Sequence, residues 1–312
     1  MEKFSDKITG LFSSQLSEWD LAKVNYKQLE KVKTRKLEYD DFEILVQFNP
    51  ERIRSSAAKV DSKSLGERPC FLCPVNLPPQ QRGVAFEDDM VVLVNPFPIF
   101  RRHLTIPSYT HSDQRIRNNF MRMLSLAEAI PDFVIFYNGP ECGASAPDHM
   151  HFQAGNKGFM PIEKDFFTGK NIHLSGKTQS VEIWRWTNYL RGILTLKGSG
   201  KEELAGVFDH FLNKFSLLQP GKPEPMLNIL AYYSGEGWIV HLFPRKLHRP
   251  AQFYAKGSGQ ILLSPASVDL GGAIITPREE DFDNIKKDDI TDIFNQVCIG
   301  EEQLPGFISG LL

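Results

Sequence analysis

The most constraining feature of the sequence is an order of predicted elements that occurs twice. Each copy reads strand, strand, helix, strand, and then ends in a glycine-containing turn and a strand that carries a histidine. The first copy comprises residues 91–94, 103–107, 112–130, 133–137 and 149–152, and the second comprises residues 181–186, 192–196, 201–218, 226–232 and 238–243. Internal repetition of this kind predicts two similar halves of mixed α and β structure. Chance similarity between two strand and helix runs is the alternative.

A chain of 312 residues has room for two such halves. We predict an N-terminal helical segment over residues 1–40, a first half over residues 41–165 and a second half over residues 166–312. Hydrophobic residues make up 41% of the chain and charged residues 24%. This composition is typical of a folded globular protein and excludes the disordered, collagenous and coiled-coil classes.

The charge balance restricts the partners of the protein. Lys and Arg total 36 against 38 Asp and Glu, a net charge of -2, which argues against nucleic acid or an anionic membrane as partner. The longest apolar runs, such as residues 90–94 and 133–137, are far shorter than the roughly 20 residues that span a bilayer. The N-terminus lacks the apolar core of a signal peptide. We therefore expect a cytoplasmic protein.

The segment 137–153 carries the strongest chemical signal. Small residues around Gly143 indicate an irregular loop whose backbone amides can approach an anion. The loop runs into a predicted strand, on which alternate side chains share a face. His149, His151 and Gln153 are therefore predicted to point the same way, so that a nucleophile, its orienting partner and phosphate-binding donors could share one site. Three polar residues on a solvated strand face are the alternative.

Two of the four cysteines, Cys70 and Cys73, form a Cys-x-x-Cys motif, which suggests metal or redox chemistry. A tetrahedral zinc site needs two further ligands. They must be histidines, because no second Cys-x-x-Cys exists, and the candidates in the same half are His103, His111, His149 and His151. A redox pair is the competing interpretation, although the flanking prolines and the lack of a helix after Cys70 argue against it.

Basic residues near these motifs are candidate phosphate ligands. Arg102 precedes His103 at the start of a predicted strand, where His103 either faces phosphate or packs inside the protein. Arg245 opens a basic run that suits ligand phosphates, although a solvated loop is slightly favoured. Arg52 and Arg54, in a Ser-rich loop, have the same two interpretations.

Five segments resemble the motifs of a known family: residues 70–76, 95–98, 103–107, 138–145 and 149–153. They are similar to the galactose-1-phosphate uridylyltransferase group of the histidine-triad superfamily. Three later segments, at residues 227–230, 238–245 and 264–275, look more like diadenosine tetraphosphate phosphorylase and GDP-galactose phosphorylase. The resemblance implies an α+β fold with two tandem histidine-triad-like halves, in which antiparallel sheets are flanked by helices.

The resemblance also implies roles for the site residues. His151 would be the nucleophile that attacks an α-phosphorus and carries a covalent nucleotidyl group, and Gln153 would bind a phosphoryl oxygen of that intermediate. Ser145 and the backbone amides of Gly143 and Ala144 would hold the leaving phosphate. Six further residues complete the predicted substrate-binding set: Asn95, Asn138, Arg52, Arg102, His103 and Arg245. A neutral imidazole is nucleophilic near pH 7, and a phosphoramidate divides one displacement into two steps.

A structural zinc ion is the cofactor that the resemblance implies, with Cys70, Cys73, His111 and His149 as ligands. The ion would tie a distant loop to the catalytic strand without acting as a Lewis acid. In the second half, His241 occupies the position where the repeat would place a nucleophile, but neither a second histidine nor a glutamine follows it. We therefore predict that the second half is non-catalytic.

These observations predict a nucleotidyltransferase or phosphorylase. The enzyme would move a nucleoside monophosphate from a nucleotide-sugar or a dinucleoside polyphosphate to phosphate or a sugar phosphate. The alternatives are a nucleotide hydrolase of the same superfamily and a non-catalytic nucleotide-binding protein. Gln153 argues against the hydrolase, because the superfamily's hydrolases usually carry a histidine there. A homodimer is left open, although two halves in one chain need no second copy to complete the fold.

Overall fold

The computed structural model describes residues 3–53 and 67–309. Helices α1 to α10 are Phe4–Glu18, Asp20–Leu29, Phe120–Ala129, Pro161–Thr168, Lys201–Leu217, Ala251–Tyr254, Ser267–Leu270, Glu279–Asn284, Lys287–Val297 and Leu304–Ile308. Strands β1 to β13 are Lys33–Glu38, Glu43–Phe48, Gly83–Phe86, Met90–Val94, His103–Pro107, Phe133–Asn138, His151–Asn156, Ile172–Lys177, Val181–Trp186, Leu194–Gly198, Leu227–Tyr233, Trp238–Pro244 and Ala273–Thr276.

Ten strands form one antiparallel sheet in the order β3-β4-β5-β7-β6-β11-β12-β10-β9-β8. The order reads alike from both edges, because each half contributes strands in the same relative arrangement. The halves join where β6 pairs with β11, and Asn138 lies opposite Asn228 at this seam. The predicted α+β fold of two halves, with antiparallel sheets flanked by helices, is therefore confirmed. The two sheets that the sequence suggested are continuous.

A second, three-stranded sheet has the order β1-β2-β13. Strand β2 is antiparallel to β1 and parallel to β13, with Leu45 opposite Ala273. Strand β1 lies in the segment that was predicted to be helical, so that prediction is wrong for residues 33–38. Its sequence, Lys33–Glu38, is mostly charged and only partly buried, so it has no apolar run to indicate a strand.

The helix predicted over residues 112–130 is shorter and covers Phe120–Ala129. The residues before it are irregular because the buried side chain of Gln114 bonds to the ends of two strands. Its Nε2 donates to the carbonyl oxygens of Asn138 at 3.0 Å and His151 at 2.9 Å, and its Oε1 accepts from the His151 N–H at 2.8 Å. These bonds fix the backbone where β6 ends and β7 begins.

Apolar side chains pack on both faces of the large sheet. Phe152 and Ile135 face a core formed with α1, α2, α3 and α5. Phe136 and Phe243 face a second core, formed with α4, α9 and the small sheet. Within residues 3–53 and 67–309, no helix has the length and apolar character needed to cross a membrane.

Candidate active site

A cavity of about 440 Å³ is lined by strands of the first half and by a second-half segment around Ser264. Eight of the predicted site residues line it: His151, Gln153, Ser145, Asn138, Gly143, Ala144, Asn95 and Arg52. The folded chain thus brings the predicted glycine-rich loop and the predicted catalytic strand to one site.

The loop before β7 is built around Gly143. Its φ of +94° lies in the left-handed region, and a Cβ here would lie 2.7 Å from the Cβ of Ala266. Among the described residues, the backbone N–H groups of Gly143, Ala144 and Ser145 have no hydrogen-bond acceptor. Adjacent free N–H groups at a cavity wall are suited to binding an anion.

The ring of His151 has one nitrogen committed and one available. Nδ1 lies 2.8 Å from the carbonyl oxygen of His149. Because a carbonyl only accepts, Nδ1 carries the hydrogen and Nε2 carries the lone pair. Burial lowers the pKa of His151 to about 4. The ring is therefore a neutral imidazole that lines the cavity with a nucleophilic Nε2.

Gln153 lies on the same strand face and is held by His103. The Nδ1 of His103 accepts from the N–H of Ile99 at 3.1 Å, so its Nε2 carries the hydrogen and donates to Oε1 of Gln153 at 3.2 Å. The amide NH₂ of Gln153 is thereby kept as a donor. His103 itself is fully buried outside the cavity, and burial lowers its pKa to about 3. Its predicted role as a direct substrate ligand is corrected: it positions Gln153.

The four predicted metal ligands lie together. The ligand atoms of Cys70, Cys73, His111 and His149 all lie within 4.8 Å of one another. The Sγ of Cys70 is 3.2 Å from Nδ1 of His149, and the Sγ of Cys73 is 3.2 Å from Nδ1 of His111. A tetrahedron with the usual Zn–S and Zn–N bonds has edges of about 3.5 Å. The donor set therefore fits one zinc ion.

The ring of His149 is oriented for this role. Its Nε2 donates to the carbonyl oxygen of Ser108 at 2.8 Å, which leaves Nδ1 free to bind a metal. The prediction that His149 shares a strand face with His151 is wrong, because β7 begins at His151. His149 belongs to the preceding turn, where its N–H bonds to the carbonyl oxygen of Ala146 at 3.2 Å.

Two predicted phosphate ligands lie outside the cavity. Arg102 stacks on the ring of Phe133 at 4.7 Å and lies 3.9 Å from the carboxylate of Asp132. Arg245 is fully buried and donates to Oδ1 of Asn228 at 2.7 Å. It also donates to the carbonyl oxygens of Pro265, Leu247, His248 and Val297. These bonds use all five N–H donors of the guanidinium, so Arg245 has none for a phosphate.

The cavity also contains charged residues that the predicted site lacked. Glu51, Arg68 and Asp269 were not assigned a role, and Arg249 belongs to the basic run that Arg245 opens. Asp269 accepts from the N–H groups of Ala266 at 2.8 Å and Ile275 at 3.0 Å, and burial raises its pKa to about 6. The sequence signal for Arg68 was its position two residues before Cys70. Arg54 lies outside the described residues.

Two family models match the chain, each over nearly one half. Residues 11–156 match a domain of unknown function, DUF4922, and residues 163–305 match the GDPGP1-like, C-terminal domain. The crystal structure of yeast Ap4A phosphorylase Apa2 in complex with Ap4A aligns with a TM-score of 0.65 and 18% identity, over 96% of this chain and 99% of that chain. The chain has the Ap4A phosphorylase fold. The predicted resemblance to this group is thus confirmed at the level of the fold.

The same yeast enzyme in complex with AMP aligns with a TM-score of 0.57 and 16% identity, over 91% of this chain and 96% of that chain. No curated protein matches the chain significantly. The solved relatives with the Ap4A phosphorylase fold are enzymes by name.

The second half of this Ap4A phosphorylase fold keeps the register of the first half but not its nucleophile. His241 pairs with Thr195, just as Gln153 pairs with Thr105 in the first half. His241 is therefore the counterpart of the glutamine, which corrects its predicted equivalence to the nucleophile. The counterpart of the nucleophile lies two residues earlier and is Ile239, which has no imidazole.

The surroundings of His241 are filled by aromatic rings. Trp186 and Phe166 lie against it, with ring centroids 5.9 Å and 5.6 Å away. Its Nδ1 lies 2.8 Å from Oγ1 of Thr195, and its Nε2 lies 3.3 Å from the hydroxyl of Tyr232. The polar atoms of the ring are thus paired inside a packed core.

We expect His241 to make the protein less stable in mild acid. Burial lowers its pKa from 6.5 to about 3, so the unfolded chain binds one more proton between these values. The free energy of unfolding therefore falls as the pH drops below about 6.5, by about 2 kcal/mol at pH 5 from this residue. Urea titrations at pH 7.5 and pH 5 measure the fall in the free energy of unfolding between these pH values. We expect this fall to be about 2 kcal/mol smaller in His241→Gln than in the wild type. An equal loss in both proteins would contradict the assignment.

Proposed function

We propose that the chain is a nucleotidyltransferase or phosphorylase that works through a covalent nucleotidyl adduct on His151. The observation that carries the proposal is the hydrogen bond from Nδ1 of His151 to the carbonyl oxygen of His149. This bond leaves Nε2 as the nucleophile in the cavity. We assign the chemistry to the first half, residues 41–165. The second half, residues 166–312, completes the cavity wall.

In the first step, Nε2 attacks the α-phosphorus of the donor. The N–P bond forms, the P–O bond to the leaving phosphate breaks, and that phosphate keeps the electron pair. In the second step, an oxygen of the acceptor attacks the same phosphorus and the N–P bond breaks. The imidazole returns to its neutral form, ready for the next donor.

The neighbouring donors would stabilise the charge on the transferred group. The NH₂ of Gln153, oriented by His103, would donate to a phosphoryl oxygen of the adduct. The N–H groups of Gly143 and Ala144 and the hydroxyl of Ser145 would hold the leaving phosphate. Because these groups are fixed by the fold, little reorganisation is needed when the charge moves.

Zinc would have a structural role at this site and no catalytic one. Cys70, Cys73, His111 and His149 would hold the ion, which would fix the turn that leads into His151. Bound there, zinc supplies charge compensation for the two thiolates and rigid tetrahedral geometry.

Two observations bear on the class of the donor, and they favour different classes. The yeast relatives were solved with Ap4A and with AMP, which favours a dinucleoside polyphosphate as donor. The sequence motifs shared with uridylyltransferases favour a nucleotide-sugar. Phosphate or a sugar phosphate would be the acceptor, and both donor classes belong in the test.

Intact-mass measurement after brief incubation with diadenosine tetraphosphate, UDP-sugars, GDP-sugars and ADP-sugars tests the proposal. We expect one donor to add the mass of its nucleoside monophosphate to the wild-type protein and to His210→Ala, whose histidine is exposed on α5. His151→Ala should show no adduct with any donor. Added phosphate should discharge the wild-type adduct as a nucleoside diphosphate, whereas discharge in buffer alone would indicate the hydrolase.

If no donor modifies the wild-type protein although it contains one zinc ion per chain, the proposed function is contradicted. An adduct that persists in His151→Ala would place the nucleophile elsewhere.

A further inference from the structure

Arg68 lies in the cavity wall, although neither the sequence motifs nor the mechanism above uses it. It precedes Cys70 by two residues and is therefore carried by the same loop as two of the metal ligands. Its Nη2 donates to the carbonyl oxygen of Ser145 at 2.9 Å. The guanidinium thus lies directly beside the glycine-rich loop.

The contacts of Arg68 hold the side chain without using all of its donors. Its guanidinium lies 5.0 Å from the ring centroid of Phe71, and its Nη2 lies 3.7 Å from Oδ1 of Asp148. Its Nε and the facing Oδ1 of Asp148 are both buried and have no hydrogen-bond partner in the part of the chain that the structure describes. A buried cationic donor without a partner is costly unless a ligand satisfies it.

Asp148 connects Arg68 to the metal cluster. Its Oδ2 lies 3.8 Å from Nε2 of His111, and its Oδ1 faces Arg68. One carboxylate therefore touches both a predicted zinc ligand and the arginine. The position of the guanidinium depends on the same loop geometry that the metal would fix.

The other charges of the cavity agree with an anionic ligand. Arg52 and Arg249 line the cavity together with Arg68, each from a different segment of the chain. The carboxylate of Asp269 is already bonded to two backbone N–H groups. Glu51 also lines the cavity, so the lining contains three guanidinium groups and two carboxylates. This excess of positive charge favours a ligand that carries negative charge.

We propose that Arg68 is a phosphate-binding residue that grips the leaving phosphate, and then the entering phosphate, with its planar guanidinium. This inference rests on the proposed function and extends it to the half of the substrate that does not become attached to His151. As the P–O bond breaks, the leaving oxygen takes the electron pair, and Arg68 donates hydrogen bonds to it while keeping its own protons. A planar fork suits phosphate oxygens better than a point charge.

Equilibrium binding of inorganic pyrophosphate tests the proposal without requiring catalysis. By calorimetry, we expect Arg68→Gln to bind pyrophosphate about 10- to 100-fold more weakly than the wild type. Arg115→Gln is the matched control, because Arg115 is 32% exposed against 28% for Arg68, pairs with Asp113 and lies outside the cavity. It should bind like the wild type.

Zinc content and the rate of adduct formation complete the test. Arg68→Gln should retain the wild-type zinc content and form the His151 adduct about 100-fold more slowly. If Arg68→Gln loses zinc, Arg68→Lys replaces it, and weaker pyrophosphate binding at unchanged zinc content would support the proposal. Wild-type pyrophosphate binding in the zinc-loaded Arg68 variant, or no pyrophosphate binding by the wild type, would overturn it.

The two proposals fail in different ways. If the adduct forms at the wild-type rate in Arg68→Gln, the proposed function stands and the role of Arg68 is wrong. If no donor labels the wild type but pyrophosphate binds through Arg68, the phosphate site stands and the proposed transfer reaction is wrong.

Discussion

Exchanging Cys73 for serine will remove tightly bound zinc from the protein and lower its free energy of unfolding by about 4 kcal/mol at a free zinc concentration 1,000 times the dissociation constant. The reason is that zinc would bind only the folded chain, in which four ligand atoms from three separate segments meet. Serine is a poor substitute for a thiolate on zinc. Metal analysis after gel filtration and urea titration with and without a chelator measure both effects.

Cys298→Ser is the control, because Cys298 is a free cysteine that does not belong to the cluster of four ligands. It should keep one zinc ion per chain and should lose as much stability on chelation as the wild type loses. The Cys73 variant should lose nothing further on chelation. If Cys73→Ser still holds one zinc per chain, the cluster is not a zinc site. The same follows if the chelator does not change the free energy of unfolding of the wild type.

The metal variant also bears on the active site, because the cluster and the nucleophile share one turn. His149 directs Nδ1 to Cys70, while its carbonyl oxygen accepts the hydrogen bond from His151. Loss of the metal would release this turn, and with it the bond that leaves Nε2 of His151 as the nucleophile. Adduct formation should therefore fall together with zinc content.

Local patterns in the sequence predicted much of this site. The alternation of a strand places His151 and Gln153 on one face, with Phe152 in the core on the other. The repeated element order predicted the two halves of the large sheet. Period-two reasoning failed at His149, because the chain turns there and the strand begins only at His151.

The remaining errors concern partners that lie far apart in the sequence. His103 could equally have been a ligand or a packed residue, and the bond to Gln153 that decides the question spans two strands. Strand β1 is recognisable only by its pairing with β2. A local sequence pattern does not show which distant residues pair. The hydrogen bonds of the folded chain do show it.

Arg245 is the residue whose role depends most on partners far away in the sequence. We expect Arg245→Met to lower the free energy of unfolding by about 4 kcal/mol. The substitution keeps the length and apolar character of the side chain but removes every hydrogen bond of the guanidinium. Buried oxygens of Asn228 and of four backbone carbonyls would lose a charged donor, and each unsatisfied group costs about 1–3 kcal/mol before relaxation. Urea titration at constant m-value measures the loss.

Arg102→Met is the control, because both arginines were predicted from the sequence to bind phosphate. Arg102 is partly exposed and contacts the ring of Phe133 and a carboxylate 3.9 Å away, so its loss should cost less than about 1 kcal/mol. If Arg245→Met were as stable as the wild type and only bound pyrophosphate more weakly, Arg245 would be a ligand after all. The predicted outcome is a large loss of stability at Arg245 and a small one at Arg102, because burial and bonding, and not residue type, decide what an arginine does.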